Sequence, residues 1–229
     1  MSLIISLAVA IAFSAICARP LQRVPWLFYL LSLLVCGAGI YLTYNPLPYE
    51  LVRSAVFAVQ KGQLGFSFFV VVMFIGVFGH DSAIRRYLNP VRAELSIMAA
   101  FLMISHFVPY LINYLSLTAH LASLRPGIAA SLMIALALLV LLALLTVTSF
   151  NAVKKRMEAH TWKTVQRLAY VFFGLTFFHM LGYLLTPALS GSGKAVFGVI
   201  AYTAIFLLYA VLRVRKAWAD NRTDRAEAL

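Results

Sequence analysis

Acidic side chains are scarce in this sequence. Seven Asp and Glu stand against 19 Lys and Arg in 229 residues, and charged residues of both signs amount to 11%. A soluble domain carries about 25% charged residues, so this composition excludes an ordinary water-facing surface. Cysteine is nearly missing as well. Cys17 and Cys36 lie in apolar stretches at no metal-binding spacing, which reads as two inert buried thiols. No glycine-rich dinucleotide fingerprint occurs, and little polar chain is left to hold a pyridine nucleotide. Any NAD(P)H oxidation therefore belongs to a separate protein. What the chain has in abundance is apolar: 63% of residues, with a mean hydropathy of +0.92. The net charge of +12 would suggest nucleic acid in a soluble protein. Here the basic residues sit in short connections between apolar segments, which is a topology signal and argues for membrane lipid and against nucleic acid.

A span needs roughly 20 predominantly apolar residues. Seven segments meet or approach this: Leu3–Ala18, Val24–Tyr44, Leu64–Gly79, Ala93–Leu117, Gly127–Phe150, Thr164–Leu185 and Ala195–Val214. The first and third are short. Turn residues punctuate the connections, as in Asn45-Pro46-Leu47-Pro48, Asn89-Pro90 and Gly191-Ser192-Gly193. Between the second and third spans, Tyr49–Gly62 carries Leu51, Val52, Ala55, Val56 and Val59 at helical spacing beside polar Glu50, Arg53, Gln60 and Lys61. It reads either as a short interfacial helix or as a plain connection.

The first segment has no basic residues before its apolar run, and Arg19 and Arg23 follow it. That order predicts a retained helix with its N-terminus outside, not a signal peptide. Fifteen of the 19 basic residues then fall on the inner side. They are Arg19, Arg23, Arg85, Arg86, Arg92, Lys154, Lys155, Arg156, Lys163, Arg167, Arg213, Arg215, Lys216, Arg222 and Arg225. Arg53, Lys61, Arg125 and Lys194 fall outside. The asymmetry predicts a bacterial cytoplasmic-membrane protein with a cytoplasmic C-terminus.

Only His106 and His179 lie within apolar segments. An ionisable side chain in hydrocarbon is costly and marks a functional site by default. The fourth and sixth spans run in the same direction, so residue counts convert to depth. His106 lies 14 residues past Arg92, about 21 Å of helix; His179 lies 12 past Arg167 and 16 past Lys163, about 18–24 Å. Both fall in the outer half of a hydrocarbon layer about 30 Å thick. Two neutral imidazoles at one depth are what a b-type haem needs as axial ligands. Phe101, Phe107, Phe172, Phe173, Phe177, Phe178 and Gly174 supply bulky and open surfaces nearby. His80, His120 and His160 fall at membrane edges or in connections and read as solvated.

The run Thr148-Ser149-Phe150-Asn151-Ala152-Val153-Lys154-Lys155-Arg156, then Trp162-Lys163-Thr164-Val165-Gln166-Arg167-Leu168-Ala169-Tyr170, ending at Phe178-His179, resembles the ferric-reductase-like transmembrane domain. It is most similar to the MsrQ/YedZ-type haem-binding subunit of bacterial periplasmic methionine sulfoxide reductase systems. Arg85-Arg86, Arg92 and His106 resemble that family's basic inner loop and haem-bearing helix. The likeness spans about Val24 to Arg215. It implies an all-α integral membrane helical bundle, with a six-helix core at 24–216 after an additional helix at 1–23, seven spans in all, and a polar cytoplasmic tail at 217–229. Where the family places a second histidine after the tryptophan, this chain has Gln166, and the counterpart position before His106 is Arg92. The resemblance therefore implies one haem in the outer half, as in STEAP-type metalloreductases, and not the two of the NADPH oxidases.

An outer haem alone is too far from the inner face for one efficient electron hop. A flavin (FMN or FAD), or a flavin reductase docked at the inner face, would bridge the gap. Arg85, Arg86, Arg92, Arg156 and Arg167 are candidate phosphate contacts, Gln166 a ring hydrogen bond and Trp162 a stacking surface. A membrane quinol approaching laterally is the other donor. The expected function is a cytochrome b subunit that passes electrons from flavin, flavin reductase or quinol to an extracytoplasmic reductase or acceptor. The competing reading is a proton-coupled transporter using its intramembrane histidines.

Overall fold

A computed structural model describes residues 2–79, 81–116 and 126–227. Every regular element among them is helical. The chain divides into two compact units, Met1–Thr118 and Ala119–Leu229.

The first unit holds α1 (Ser2–Arg23), α2 (Pro25–Tyr44), α3 (Glu50–Gln60), α4 (Gln63–Ile75), α5 (Ala83–Leu88), a 3-10 turn (Asn89–Val91) and α6 (Arg92–Ser116). Pro25 opens α2 and Pro90 lies in the turn before α6, where a missing N–H costs nothing and a fixed φ favours helix. In α1, Ser6, Ala10, Ser14 and Ala18 recur every fourth residue and all are buried. Small side chains in such a row let two helices approach closely inside a membrane, and α1 packs on α4. Phe13 meets Phe68 edge-on at 5.4 Å, and the Tyr87 hydroxyl donates to the Ala15 carbonyl at 3.0 Å. α1 thus packs within the first unit.

α4 is the most enclosed helix of this unit, with Phe66, Phe68, Val70, Val71, Val72, Met73 and Ile75 buried. It packs along α6, which contributes Leu95, Met98, Ala99 and Leu102 to the same core. A Cβ on Gly65 would stand 2.8 Å from Met103 Sδ and 3.1 Å from the Ala99 carbonyl, so glycine sets how near these two helices come. α3 is a helix and not a plain connection, and it meets α4 at a bend of 56°.

The second unit holds α7 (Pro126–Ser149), α8 (Asn151–Lys154), α9 (Ala159–Leu189) and α10 (Gly193–Glu227). α9 starts five residues before the expected sixth span, and α10 runs through the expected polar tail to Glu227. The Lys216 ammonium, bonded to both Asp220 carboxylate oxygens at 2.9 Å, supports that extension from one turn to the next. Phe173 packs on Phe206 and Tyr209 at 4.4 and 5.0 Å, joining α9 to α10.

Among the described residues, six helices are long and apolar enough to cross a membrane, and α3 with α4 passes the same test only as a bent pair. Large apolar side chains such as Ile16, Leu34, Val140 and Leu207 stand exposed along them. Such surfaces are solvated by lipid tails and not by water. The chain is an α-helical membrane protein.

Candidate functional site

His106 lies on α6, one turn before Tyr110. Its Nδ1 stands 3.0 Å from the backbone carbonyl of Gln60, the last residue of α3. A carbonyl only accepts, so Nδ1 carries the proton and, in the neutral ring, Nε2 carries the lone pair. The carbonyls that end a helix lack ladder donors, and the imidazole supplies one. Gly62 makes the approach possible. It has φ +69°, and a Cβ there would sit 3.1 Å from His106 Cγ and 3.2 Å from Met103 Cε. The Ser105 hydroxyl, beside His106, donates to Leu102 at 2.8 Å and lies 3.3 Å from the Val59 carbonyl. The Tyr110 ring leans on the imidazole at 5.1 Å, and the Lys61 ammonium hydrogen-bonds the Tyr110 hydroxyl.

His179 lies on α9 and uses the same atom in the same way. Its Nδ1 is 3.0 Å from the Ser131 carbonyl and 3.2 Å from the Ser131 hydroxyl oxygen on α7. The Ser131 hydroxyl in turn donates to the His179 backbone carbonyl at 2.7 Å. Close packing permits this exchange: a Cβ on Gly182 would fall 2.7 Å from Ser131 Cβ and 3.2 Å from the Gly127 carbonyl. Tyr183, one turn on, packs against the imidazole at 5.3 Å. Both histidines therefore present the same tautomer with one ring nitrogen tied to a backbone carbonyl. That second contact orients a ligating imidazole and raises its basicity. Each ring suits a metal bound through Nε2.

Four of the candidate donor-site residues have neighbours of their own. The Arg85 guanidinium donates to the Phe78 carbonyl at 3.1 Å, and the Arg92 guanidinium lies beside Gly76. Both thus stand at the C-terminal end of α4, where cations meet the negative end of a helix dipole. In the second unit, Trp162 and Gln166 converge on Thr148. The indole Nε1 donates to the Thr148 carbonyl at 2.9 Å, and Gln166 Nε2 donates to the Thr148 hydroxyl at 2.9 Å. The Lys154 ammonium lies 4.5 Å over the Trp162 ring. Arg86, Arg156 and Arg167 are exposed.

The aromatic residues divide. Phe172 and Phe173 are buried, Phe177 packs on Phe206 at 5.0 Å, and Phe178 is exposed. Most of this aromatic surface joins helices to one another. Nothing lies within 4 Å of a Cβ built on Gly174. His160 is exposed, and His80 and His120 lie outside the described residues. The sequence reading missed Gln60, Gly62, Ser131, Gly182 and Thr148. A backbone acceptor leaves no residue signature, but Gly127-x-x-x-Ser131 is a readable small-residue pattern for close helix approach.

No family model and no solved structure matches the chain. An uncharacterized protein of Treponema pallidum (strain Nichols) is 37% identical over 172 residues, which is 75% of this chain and 48% of that protein. The chain thus spans about half the length of the curated relative it matches, and it resembles that protein over three quarters of its own sequence.

Proposed function

We propose that this protein is a membrane cytochrome b of the ferric-reductase-like type, with His106 and His179 as the axial ligands of one b-type haem. The observation that carries the reading is the shared second contact. Each intramembrane imidazole gives its Nδ1 proton to a backbone carbonyl, Gln60 in one unit and Ser131 in the other, which directs Nε2 toward ligation. A haem held there supplies a one-electron couple. The protein's own part is to fix two ring orientations and surround them with apolar helices.

Seven spans follow from treating α3 and α4 as one crossing. The 13 residues of α4 rise about 20 Å, and the 11 of α3, inclined by 56°, add about 9 Å along the same axis. Together they cover about the 30 Å of a hydrocarbon layer. With the N-terminus outside, the basic inner face receives electrons from a flavin, a flavin reductase or a membrane quinol. The acceptor is an extracytoplasmic reductase subunit or a ferric ion. Gln166 donates one amide N–H to Thr148, so its second N–H and its carbonyl oxygen are what it could offer a flavin ring.

The deciding experiment is the absorption spectrum of the purified protein. Soret and α bands of low-spin haem b, with a pyridine haemochrome ratio near one haem per chain, are expected. A colourless protein refolded and expressed with ample haem overturns the reading. A ratio near two overturns the single-haem form.

A transporter reading draws on one observation. Glu94 on α6 has a buried carboxylate oxygen with no hydrogen-bond partner among the described residues, and buried acids in spans mark proton paths. Proton flux into vesicles that is lost in Glu94→Gln, in a protein without haem, would favour it.

A further inference from the structure

We infer that Lys61 and Tyr110 are a positioning pair that raises the reduction potential of a group ligated by His106. The inference rests on the haem reading. Lys61 sits in the turn between α3 and α4, directly after Gln60, whose carbonyl orients the His106 ring. Its ammonium bonds the Tyr110 hydroxyl and lies 5.2 Å from the Tyr110 ring centroid, which is itself 5.1 Å from the imidazole centroid. The cation therefore stands no more than about 10 Å from the ligand ring. A second face-on contact, 5.8 Å to Phe57 on α3, holds the lysine stem in place. One lysine thus bridges the helix that bears the histidine and the helix that supplies its carbonyl.

The physical consequence is a fixed positive charge beside the ligand. An iron held by His106 would take one electron from the proposed flavin or quinol donor, and the site would lose one unit of positive charge. A neighbouring cation would repel the ferric state more than the ferrous state, and beside low-dielectric apolar helices this repulsion would be less screened than in bulk water. The potential is set higher than two neutral histidines alone would give. Tyr110 fixes the distance over which the charge acts and limits rotation of the imidazole.

The test is a spectroelectrochemical titration of the haem-loaded, full-length protein and its Lys61 variants. The midpoint potential should fall in the order Lys61→Arg, Lys61→Met, Lys61→Glu, with Lys61→Arg close to the parent. The spread should shrink as salt is raised from 0.05 to 0.5 M, since the Debye length falls from roughly 14 to 4 Å over that range. Tyr110→Phe should shift the potential in the same direction as Lys61→Met but less. A merely structural lysine would move the Met and Glu variants equally and without salt dependence, and that result overturns the inference. Equal potentials in all variants, with haem bound, overturn it too while leaving the haem reading intact. A parent protein without haem sinks both.

Discussion

The two intramembrane histidines do the same thing in opposite settings. His106 gives its proton to the end of a helix, at a turn that needs a glycine with positive φ. His179 gives its proton to the second turn of a continuous helix, where Ser131 returns a hydrogen bond and glycine sets the spacing. At the first, the imidazole completes an irregular backbone. At the second, it locks two regular helices together. The difference teaches that an imidazole's orientation can be fixed either by a break in the chain or by close packing, and that the two should respond differently to substitution.

The largest effect expected is loss of haem. His106→Ala and His179→Ala should each abolish the low-spin spectrum; full loading in the double variant would break the comparison altogether. Next come the glycines. Gly182→Leu forces α7 and α9 apart and should destabilise by about 1–3 kcal/mol, read as a drop in thermal unfolding temperature in detergent, while Gly174→Leu, which meets nothing within 4 Å, should stay within about 0.5 kcal/mol. Gly62→Ala combines a disfavoured φ with contact on His106 and should also cost about 1–3 kcal/mol. Equal stability of the Gly182 and Gly174 variants would show that spacing does not hold the second histidine.

A finer contrast lies in the haem-free histidine variants. Removing His106 leaves a helix-end carbonyl without its donor, worth about 1–3 kcal/mol, whereas the Ser131 carbonyl keeps a ladder partner and loses about 0.5–1.5 kcal/mol. Chemical unfolding of the two apo variants measures this, and a larger loss for His179→Ala would reverse the assignment. The smallest effect is at Trp162. Trp162→Phe removes one indole bond to Thr148 and should cost about 0.5–1.5 kcal/mol without changing the haem spectrum.

The apolar runs made the long helices legible, because six of them are set by hydropathy alone. The two histidines were legible for the same reason, as exceptions in hydrocarbon. The ends were less so. α10 continues past Val214 on charged residues that pair along its own surface, such as Lys216 with Asp220, a stabilisation that an apolar window does not register. The break at Lys61–Gly62 was readable as a change from amphipathic to apolar pattern, but not its 56° angle. The acceptors of the histidine protons were invisible because every residue has a carbonyl. Charge pattern alone did not distinguish Arg85, bonded to Phe78, from exposed Arg86 and Arg167.

The burial of α4 has a consequence for how the protein fits its bilayer. A helix of 13 residues in contact with lipid would suffer hydrophobic mismatch and thin the membrane around it, at a cost of fractions of a kcal/mol per Å. α4 instead packs against α1 and α6, so its shortfall is hidden from the acyl chains and the annulus is set by longer neighbours. Membrane thickness should therefore act on this protein through the tilt of its outer helices, leaving the bend that carries Gln60 undisturbed.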